Sequence, residues 1–430
     1  MPTLNALIFK GCLDVKRKSI LIKEVSKFCA KTKPSIEKFV KQLSPIDLTA
    51  EQKLMGFCRD NCPNIKCLRL SYCRLNVDTM KSLKGMFRLQ CLHLEYIYGI
   101  DTDEEWTEVG RVFNQDLINI AFNDGGKGTD LTGMLTNLEI FSQLALQEYS
   151  NNMSAVFSSV SPHLYKLSLI DYFGVDGNAI KALADRCGQF LFDLTVIYDT
   201  YHPKRANTSA LFKSICEKLV KLKSFRFKLI SETDMRPVFK LTELRELNLQ
   251  FSRTNFILFP GIYHLESLRS LSLTNVYLTP TRVESMARAF PYLLELSITG
   301  RVNKHFIDSA VFCCECRGVD KTLDDCPLCY QNCFIALIEF TILATLKLNF
   351  LRIKSSISSA IPYIPCLKRL VINPFECLCG RSLLLAAIKI SLLRRFKFII
   401  RECFIKQALK EETLLPEKLE IIEYDKNVHD

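Results

Sequence analysis

The sequence predicts an α/β solenoid built from leucine-rich repeats, and three observations lead to this prediction. The pattern apolar-x-x-apolar-x-apolar recurs from one end of the chain to the other. Its copies are nearly evenly spaced, which is typical of a repeat architecture. The chain of 430 residues exceeds the usual size of one compact core, and its composition, 48% hydrophobic and 24% charged, shows no linker-like tract.

The repeats cover the chain as a single predicted solenoid of about 15–16 units over residues 1–430. The clearest copies begin at Ile65, Leu89, Leu164, Leu244, Leu268 and Leu343. Looser copies begin at Leu43, Leu117, Phe141, Leu191, Leu222, Leu293, Leu367, Leu393 and Leu419, and a further copy is formed by Leu4, Leu7 and Phe9. Starts from Leu43 onward lie 22 to 31 residues apart, except for one gap of 50 residues after Leu293. We expect a degenerate or displaced repeat in that gap, and no capping module before the first copy.

The pattern within each copy predicts which of its residues are buried. The two residues that flank the single x point inward, and their neighbours on the short strand point outward. One copy cannot bury its own core, so the copies must stack into a curved horseshoe with a parallel sheet on the concave face and helices on the convex face. A returning helix is predicted over residues 178–187, where Ile180, Leu183, Ala184 and Cys187 share one face.

The beginning of the sequence suggests an intracellular protein, either cytoplasmic or nuclear. The first residues lack the features of a secretion signal, so the 19 cysteines are interpreted as reduced thiols. The most apolar stretches are interrupted by charges, which argues against a membrane span. The formal net charge is +11, and residues 1–42 form a basic, partly helical part in which residues 20–43 are helix-like. A solvated helix face is the favoured interpretation of this part, with a nucleic-acid or phosphate contact as the alternative.

The segment Cys-Pro-Asn-Ile-Lys-Cys-Leu-Arg-Leu-Ser-Tyr-Cys at residues 62–73 resembles the cysteine-containing, ribonuclease-inhibitor-like class of leucine-rich repeat. Residues 178–187 resemble the helix of the same class. The class is that of F-box/leucine-rich-repeat proteins, so the resemblance implies the substrate-binding part of an SCF-type ubiquitin ligase receptor, with an SCF adaptor and a cullin-RING ligase as partners. An F-box signature is not recognisable, since the only tryptophan, Trp106, lies within the repeats. The F-box is therefore expected either to have been lost or diverged, or to lie upstream.

Outward strand positions supply the predicted binding face for a protein partner, because extended concave surfaces are what solenoids use for recognition. The predicted contact residues are Arg226, Lys228, Glu246, Asn248, Gln250, Ser272, Thr274, Lys347, Asn349, Arg369, Asn373, Arg395 and Lys397. The cations among them favour an acidic or phosphorylated partner. The alternative interpretation of this face is a solvated sheet without a partner. The alternative function of the chain is that of a nucleic-acid-binding or nuclear scaffold protein.

A cysteine-rich, irregular insertion is predicted over residues 300–341. Within it, Cys314 and Cys316, with Cys326 and Cys329, supply four thiolates, which is the ligand set of a closed structural zinc site. Buried or reduced thiols are the favoured interpretation, with structural zinc second and a redox role third. No other cofactor is expected.

Catalysis is not predicted. The sequence lacks the phosphate-loop, zinc-protease, serine-hydrolase and kinase motifs, and its six histidines are scattered along the repeats. His93 falls on an outward strand position and is interpreted as a surface residue. The sequence therefore predicts a scaffold that recognises a macromolecule and not an enzyme.

Overall fold

A computed structural model describes the repeats and their connections in twenty segments. These are residues 6–11, 39–43, 65–71, 76–81, 89–97, 99–100, 102–112, 117–123, 131–138, 141–147, 153–170, 175–197, 208–229, 233–256, 259–277, 280–300, 335–353, 361–377, 395–400 and 419–423. The chain divides into two compact units, Met1–Lys221 and Leu222–Asp430, called unit 1 and unit 2 below.

Unit 1 contains a parallel sheet whose described strands succeed one another at the spacing of the repeats. They are β1 (Ala6–Gly11), β2 (Phe39–Leu43), β3 (Cys67–Ser71), β4 (Cys91–Glu95), β5 (Asn119–Asn123), β6 (Gln143–Gln147), β7 (Lys166–Ile170) and β8 (Asp193–Ile197). The described helices of this unit are α1 (Val77–Lys81), α2 (Asp103–Val112), α3 (Thr132–Asn137), α4 (Met153–Ser159), α5 (Gly177–Cys187) and α6 (Thr208–Lys218). From β3 onward each strand pairs with the next one along the chain.

The amino-terminal strands depart from chain order. The sheet order is β3-β1-β2, so β1 pairs with both β2 and β3. The further copy at the start of the chain is confirmed, because Leu7 and Phe9 of β1 align with Leu68 and Leu70 of β3. The copy predicted to begin at Leu43 is wrong, since β2 ends at that residue.

Local chemistry explains the position of β2. Pro45 has no N–H to donate to a sheet, whereas Phe39 and Val40 are residue types that favour strands. The helix-like interpretation of residues 20–43 is therefore wrong for Phe39–Leu43. Residues 12–38 lie outside the described part of the chain.

Unit 2 contains a second run of parallel strands in chain order. They are β9 (Ser224–Leu229), β10 (Glu246–Phe256), β11 (Ser270–Tyr277), β12 (Glu295–Thr299), β13 (Thr345–Ile353), β14 (Arg369–Cys377), β15 (Arg395–Ile400) and β16 (Leu419–Glu423). The described connections include one α-helix, α7 (Pro280–Ala289), and the 3₁₀ helices Arg236–Lys240, Ala336–Glu339 and Ile361–Tyr363. A 3₁₀ helix rises about 2.0 Å per residue, so a short connection can span the repeat with fewer residues.

Two irregularities of the repeat are explained by the pairing in unit 2. Strand β12 pairs directly with β13, from Glu295 beside Thr345 to Thr299 beside Asn349. The two strands are therefore direct neighbours in the sheet although their repeats start 50 residues apart in sequence. At the carboxyl end, Leu419 of β16 aligns with Phe396 of β15, which aligns with the buried Leu370 of β14. Leu419 thus takes the second apolar position of the repeat pattern and not the first, so the predicted start at Leu419 is wrong.

Inward residues form the core as continuous columns across neighbouring strands. In unit 1, Leu68, Leu92, Ile120, Leu144, Leu167 and Leu194 make up one column, each at most 1% exposed. In unit 2 the corresponding column is Phe225, Leu247, Leu271, Leu296, Leu346 and Leu370. Burial of each such side chain contributes about 1.5–3 kcal/mol relative to exposure. The predicted inward set is confirmed over these strands.

One backbone carbonyl per repeat locks the next repeat in register. The carbonyl oxygen of Lys66 accepts from both Gln90 N and Cys91 N, at 2.8 and 2.9 Å. In unit 2, the carbonyl of Leu294 accepts in the same way from Ala344 N and Thr345 N, both at 2.9 Å. The arrangement therefore holds across the long gap as well as between ordinary repeats.

Helix α5 follows closely from its sequence. The carboxylate of Asp176 accepts hydrogen bonds from Asn178 N at 3.0 Å and Ala179 N at 2.8 Å, which is the geometry of an N-cap. Ile180, Leu183 and Cys187 are buried as predicted. The fourth predicted residue, Ala184, is only half-buried, and Ala179 is buried instead.

The stacked parallel strands, their buried leucine columns and their helical returns confirm an α/β leucine-rich-repeat solenoid fold. Organisation as one solenoid over residues 1–430 stays a prediction. Within the described segments, no helix has both the length and the apolar character that crossing a membrane requires.

Candidate functional site: the open face of the second unit

The open face of unit 2 is the sheet surface formed by the strand residues that alternate with the buried leucines of β9–β15. On β10, for example, Leu247 and Leu249 are buried, and Glu246, Asn248 and Gln250 take the alternate positions. All thirteen predicted contact residues lie on these strands at such positions. The structure therefore brings the predicted set onto one surface, although it does not test whether that surface binds a partner.

Strand register arranges the open face in three rows. The first row is Ser224, Glu246, Ser270, Glu295, Thr345, Arg369 and Arg395. The second row is Arg226, Asn248, Ser272, Ser297, Lys347, Val371 and Lys397, and the third is Lys228, Gln250, Thr274, Thr299, Asn349 and Asn373. Neighbours in a row are about 4.8 Å apart at the backbone, so adjacent side chains can contact the same ligand group.

Acidic residues on the open face each have a partner on a neighbouring strand. The hydroxyl of Ser224 donates to Glu246 Oε2 at 3.3 Å, and Lys347 Nζ forms an ion pair with Glu295 Oε1. The side chains of Lys347 and Glu295 are 30% and 35% exposed, so this pair adds no more than about 1 kcal/mol to stability. Its larger effect is to neutralise one cation of the face.

Arg226 is held by an amide on the next strand. With its amide oxygen turned toward the guanidinium, Gln250 accepts from Arg226 Nε at 3.3 Å and from Nη2 at 2.7 Å. A neutral amide leaves the charge of Arg226 in place while fixing the direction of the side chain. The charge is thus presented to a ligand in an ordered conformation.

A cationic corner is formed by Arg369 on β14 with Arg395 and Lys397 on β15. Arg369 and Arg395 are directly opposite in register, and Lys397 stands opposite Val371. Glu420 of β16 aligns with Lys397, so one acidic position borders the corner. Arg395 is exposed, whereas Arg369 is half-buried. This corner concentrates positive charge at the β14–β15 end of the described face.

Two buried polar atoms beside the corner lack a hydrogen-bond partner within the described residues. They are Arg369 Nε and Asn373 Oδ1, and Asn373 is only 7% exposed. A buried polar group without a partner costs about 1–3 kcal/mol. Both atoms therefore carry a local cost to the stability of the folded chain.

The predicted zinc ligands of the insertion lie outside the described residues. Cys314, Cys316, Cys326 and Cys329 all fall within residues 301–334, and structural zinc at that position stays a prediction.

A cluster of potential ligands was missed by sequence reasoning. In unit 1, Cys67 and Cys91 are directly opposite on β3 and β4, and His93 lies two residues after Cys91 on the same face. Their sulfur and nitrogen atoms all lie within 4.8 Å of one another. The signal was present in the repeats, since Cys-Leu-Arg-Leu and Cys-Leu-His-Leu occupy equivalent positions at residues 67–70 and 91–94.

Comparisons with known proteins identify no family for this chain. No protein-family model and no curated protein sequence matches it. Among solved structures, the leucine-rich-repeat-containing protein LegL7 from Legionella pneumophila is similar over 54% of this chain and 84% of its own, with 12% sequence identity and a TM-score of 0.33. The fold assignment rests on the strand ladder of the chain itself and not on so distant a likeness.

Proposed function

We propose that this chain is a non-catalytic recognition scaffold that binds an acidic or phosphorylated segment of a protein on the open face of unit 2. The observation that carries the proposal is the alignment of Arg369 with Arg395 on one face, next to Lys397. Guanidinium groups bind carboxylates and phosphates through paired N–H donors, so two adjacent arginines suit an anionic side chain.

The rest of the face supports a protein ligand. Serine, threonine, asparagine and glutamine side chains occupy most of the positions between the cations, and they can donate and accept hydrogen bonds along an extended polypeptide. The rows contain Glu246 and Glu295 in addition to cations. A nucleic acid would place evenly spaced phosphates beside these glutamates, whereas a protein segment can place its anionic groups at the cationic corner alone, so a protein is favoured as the ligand.

A narrower form of the proposal makes the chain the substrate-binding part of an SCF-type ubiquitin ligase receptor. Its support is the resemblance of residues 62–73 and 178–187 to cysteine-containing repeats. The narrower form requires an F-box in the complete protein, because that module is what contacts the ligase adaptor. Co-purification of the adaptor with the full-length protein tests it, and the absence of both F-box and adaptor would remove the ligase role while leaving the recognition scaffold unaffected.

The general proposal is tested by charge reversal on the open face. The intact chain, a variant carrying Arg369→Glu with Arg395→Glu, and a Lys213→Glu control are used for affinity capture with chemical crosslinking. Lys213 is an exposed cation on helix α6 of unit 1 and is not one of the residues of the proposed face. We expect proteins with acidic or phosphorylated segments to be captured by the intact chain and the control but lost with the double variant.

A second measurement tests whether nucleic acid is the ligand instead. Binding of an RNA and a DNA duplex is measured for the same three proteins at low and high salt. Strong, salt-sensitive nucleic-acid binding that is lost with the double variant would overturn the choice of a protein ligand. Equal protein capture by all three chains would overturn the assignment of this face.

A further inference from the structure

In unit 1 too, strand residues that alternate with the buried leucines form a sheet surface. This surface contains a compact group of three side chains that can act as metal ligands. Strand register places Cys67 opposite Cys91, and the same alternation places His93 on their side of the sheet. His93 Nε2 is 3.0 Å from Cys91 Sγ. The three potential ligand atoms are mutually within 4.8 Å, and all three residues are half-buried.

We propose that Cys67, Cys91 and His93 bind one zinc ion through two thiolate sulfurs and the imidazole Nε2, leaving one coordination position for water. This site lies in unit 1 and does not depend on the proposed function of unit 2. Its ligands are different residues from the four cysteines predicted to bind zinc within residues 301–334.

The distances suit a tetrahedral ion. Zinc–sulfur bonds of about 2.3 Å and zinc–nitrogen bonds of about 2.0–2.1 Å require ligand atoms roughly 3.5–3.8 Å apart. The mutual limit of 4.8 Å covers that range, and the contact between Cys91 and His93 has to lengthen by only about 0.5 Å to meet it. Closing the site around one ion therefore requires rotations of these three side chains, which stand on two paired strands.

The ligand set selects the kind of metal. Two thiolates and one imidazole favour zinc or copper(I) over magnesium or calcium, which prefer oxygen. Zinc accepts a tetrahedral arrangement without redox chemistry, and three protein ligands leave a fourth position open. On binding, the Cys67 and Cys91 thiols release their protons to solvent and both sulfurs bind as thiolates.

The surroundings of the cluster offer a paired charge and an open space. Arg69 Nη2 donates to Glu95 Oε2 at 2.8 Å, so the cation beside the site has its own counter-charge. His93 also borders a recess of about 70 Å³ where Ala121 and Ala145 replace larger side chains. That recess provides room for a water molecule beside His93.

Metal titration of the full-length chain tests the proposal. Metal-free protein, kept reduced with a phosphine, is titrated with zinc against a coloured chelator. The variants are Cys67→Ser, Cys91→Ser and His93→Gln, with Cys366→Ser as the matched control because Cys366 is a half-buried thiol outside the cluster. Titration in a Cys314→Ser, Cys326→Ser background removes two of the four predicted ligands of the insertion and so disables that competing site.

We expect that background protein to bind one zinc equivalent, retained with Cys366→Ser and lost with Cys67→Ser or Cys91→Ser. His93→Gln should weaken binding by about tenfold or more, since even outer-shell changes around a metal cost 10–100-fold. Unchanged stoichiometry and affinity in all three cluster variants would overturn the site. Binding of copper(I) without any binding of zinc would overturn the choice of ion.

Cadmium-113 NMR on the unaltered chain provides a measurement that does not depend on variant folding. A cadmium resonance with the shift of two sulfur ligands plus nitrogen supports the site. A spectrum that contains only four-sulfur coordination contradicts it.

Discussion

Arg369 and Arg395 stand directly opposite each other on adjacent parallel strands of the open face. Like charges this close repel each other, and because Arg395 is exposed the cost to stability is no more than about 1 kcal/mol. The free chain therefore carries an electrostatic cost at this position, and an acidic ligand would remove it. Such a trade of stability for recognition is common at binding surfaces.

Reversal of one charge should stabilise the chain while weakening recognition. In an Arg395→Glu variant, the pair becomes attractive, and the free energy of unfolding should rise by about 0.5–1 kcal/mol at low salt. Urea unfolding at low and at high salt measures the gain, which should shrink in high salt because exposed charges are screened. The Lys213→Glu variant serves as the control. A loss of stability at low salt would contradict the prediction.

The assignment of inward and outward positions predicts unequal costs for two neighbours on β11. Leu271 is completely buried, so Leu271→Ala should lower the free energy of unfolding by about 2–5 kcal/mol. Ser272 lies on the open face, and Ser272→Ala should change it by no more than about 0.5 kcal/mol. Denaturant unfolding of both variants checks the register. Similar losses in the two would show that the strand is misassigned.

The cap of helix α5 should depend on the Asp176 carboxylate. Asp176→Ala removes the acceptor for Asn178 N and Ala179 N and should cost about 0.5–2 kcal/mol. Asp176→Asn keeps a side-chain oxygen and should retain most of that stability. Amide hydrogen exchange over residues 177–187 measures the effect locally. Equal exchange rates in the two variants would argue against the cap.

Cys187 should be an inert thiol in the folded chain. Burial raises its pKa to about 12, against an ordinary value of 9.0. The unfolded chain loses this proton at lower pH than the folded chain, so the contribution to stability is complete below about pH 9 and declines as pH rises toward 12. Alkylation at pH 8, read by peptide mass spectrometry, should be far slower at Cys187 in native than in denatured protein. Equal rates would show that this thiol is accessible.

The repeat fold could be predicted because its determinants are local. The period-two alternation of a strand decides which residues face inward. Leu247 and Asn248 are adjacent in sequence, yet Leu247 is buried and Asn248 lies on the open face. The same alternation identified the open-face residues of unit 2 without knowledge of the structure. Neighbouring repeats add only stacking and register, so errors in one repeat do not spread to the next.

The parts that could not be predicted depend on contacts between distant segments. The order β3-β1-β2 requires β1 to pair with strands on both sides, and no local pattern specifies that choice. Cys67 and Cys91 are 24 positions apart in sequence and become neighbours only through register. Sequence reasoning instead favoured the dense cysteines of residues 301–334, because local spacing is the usual sign of a metal site.

Site-specific photocrosslinking shows which surface of the chain a partner contacts. A photoreactive amino acid replaces Ser272 on the open face in one full-length chain and Lys213 on helix α6 in another. Both chains are irradiated in the same cell extract, and their crosslinked proteins are identified. If the open face binds the partner, we expect adducts with acidic or phosphorylated proteins from position 272 and not from position 213. Adducts from position 213 alone, or the same adducts from both positions, would contradict it.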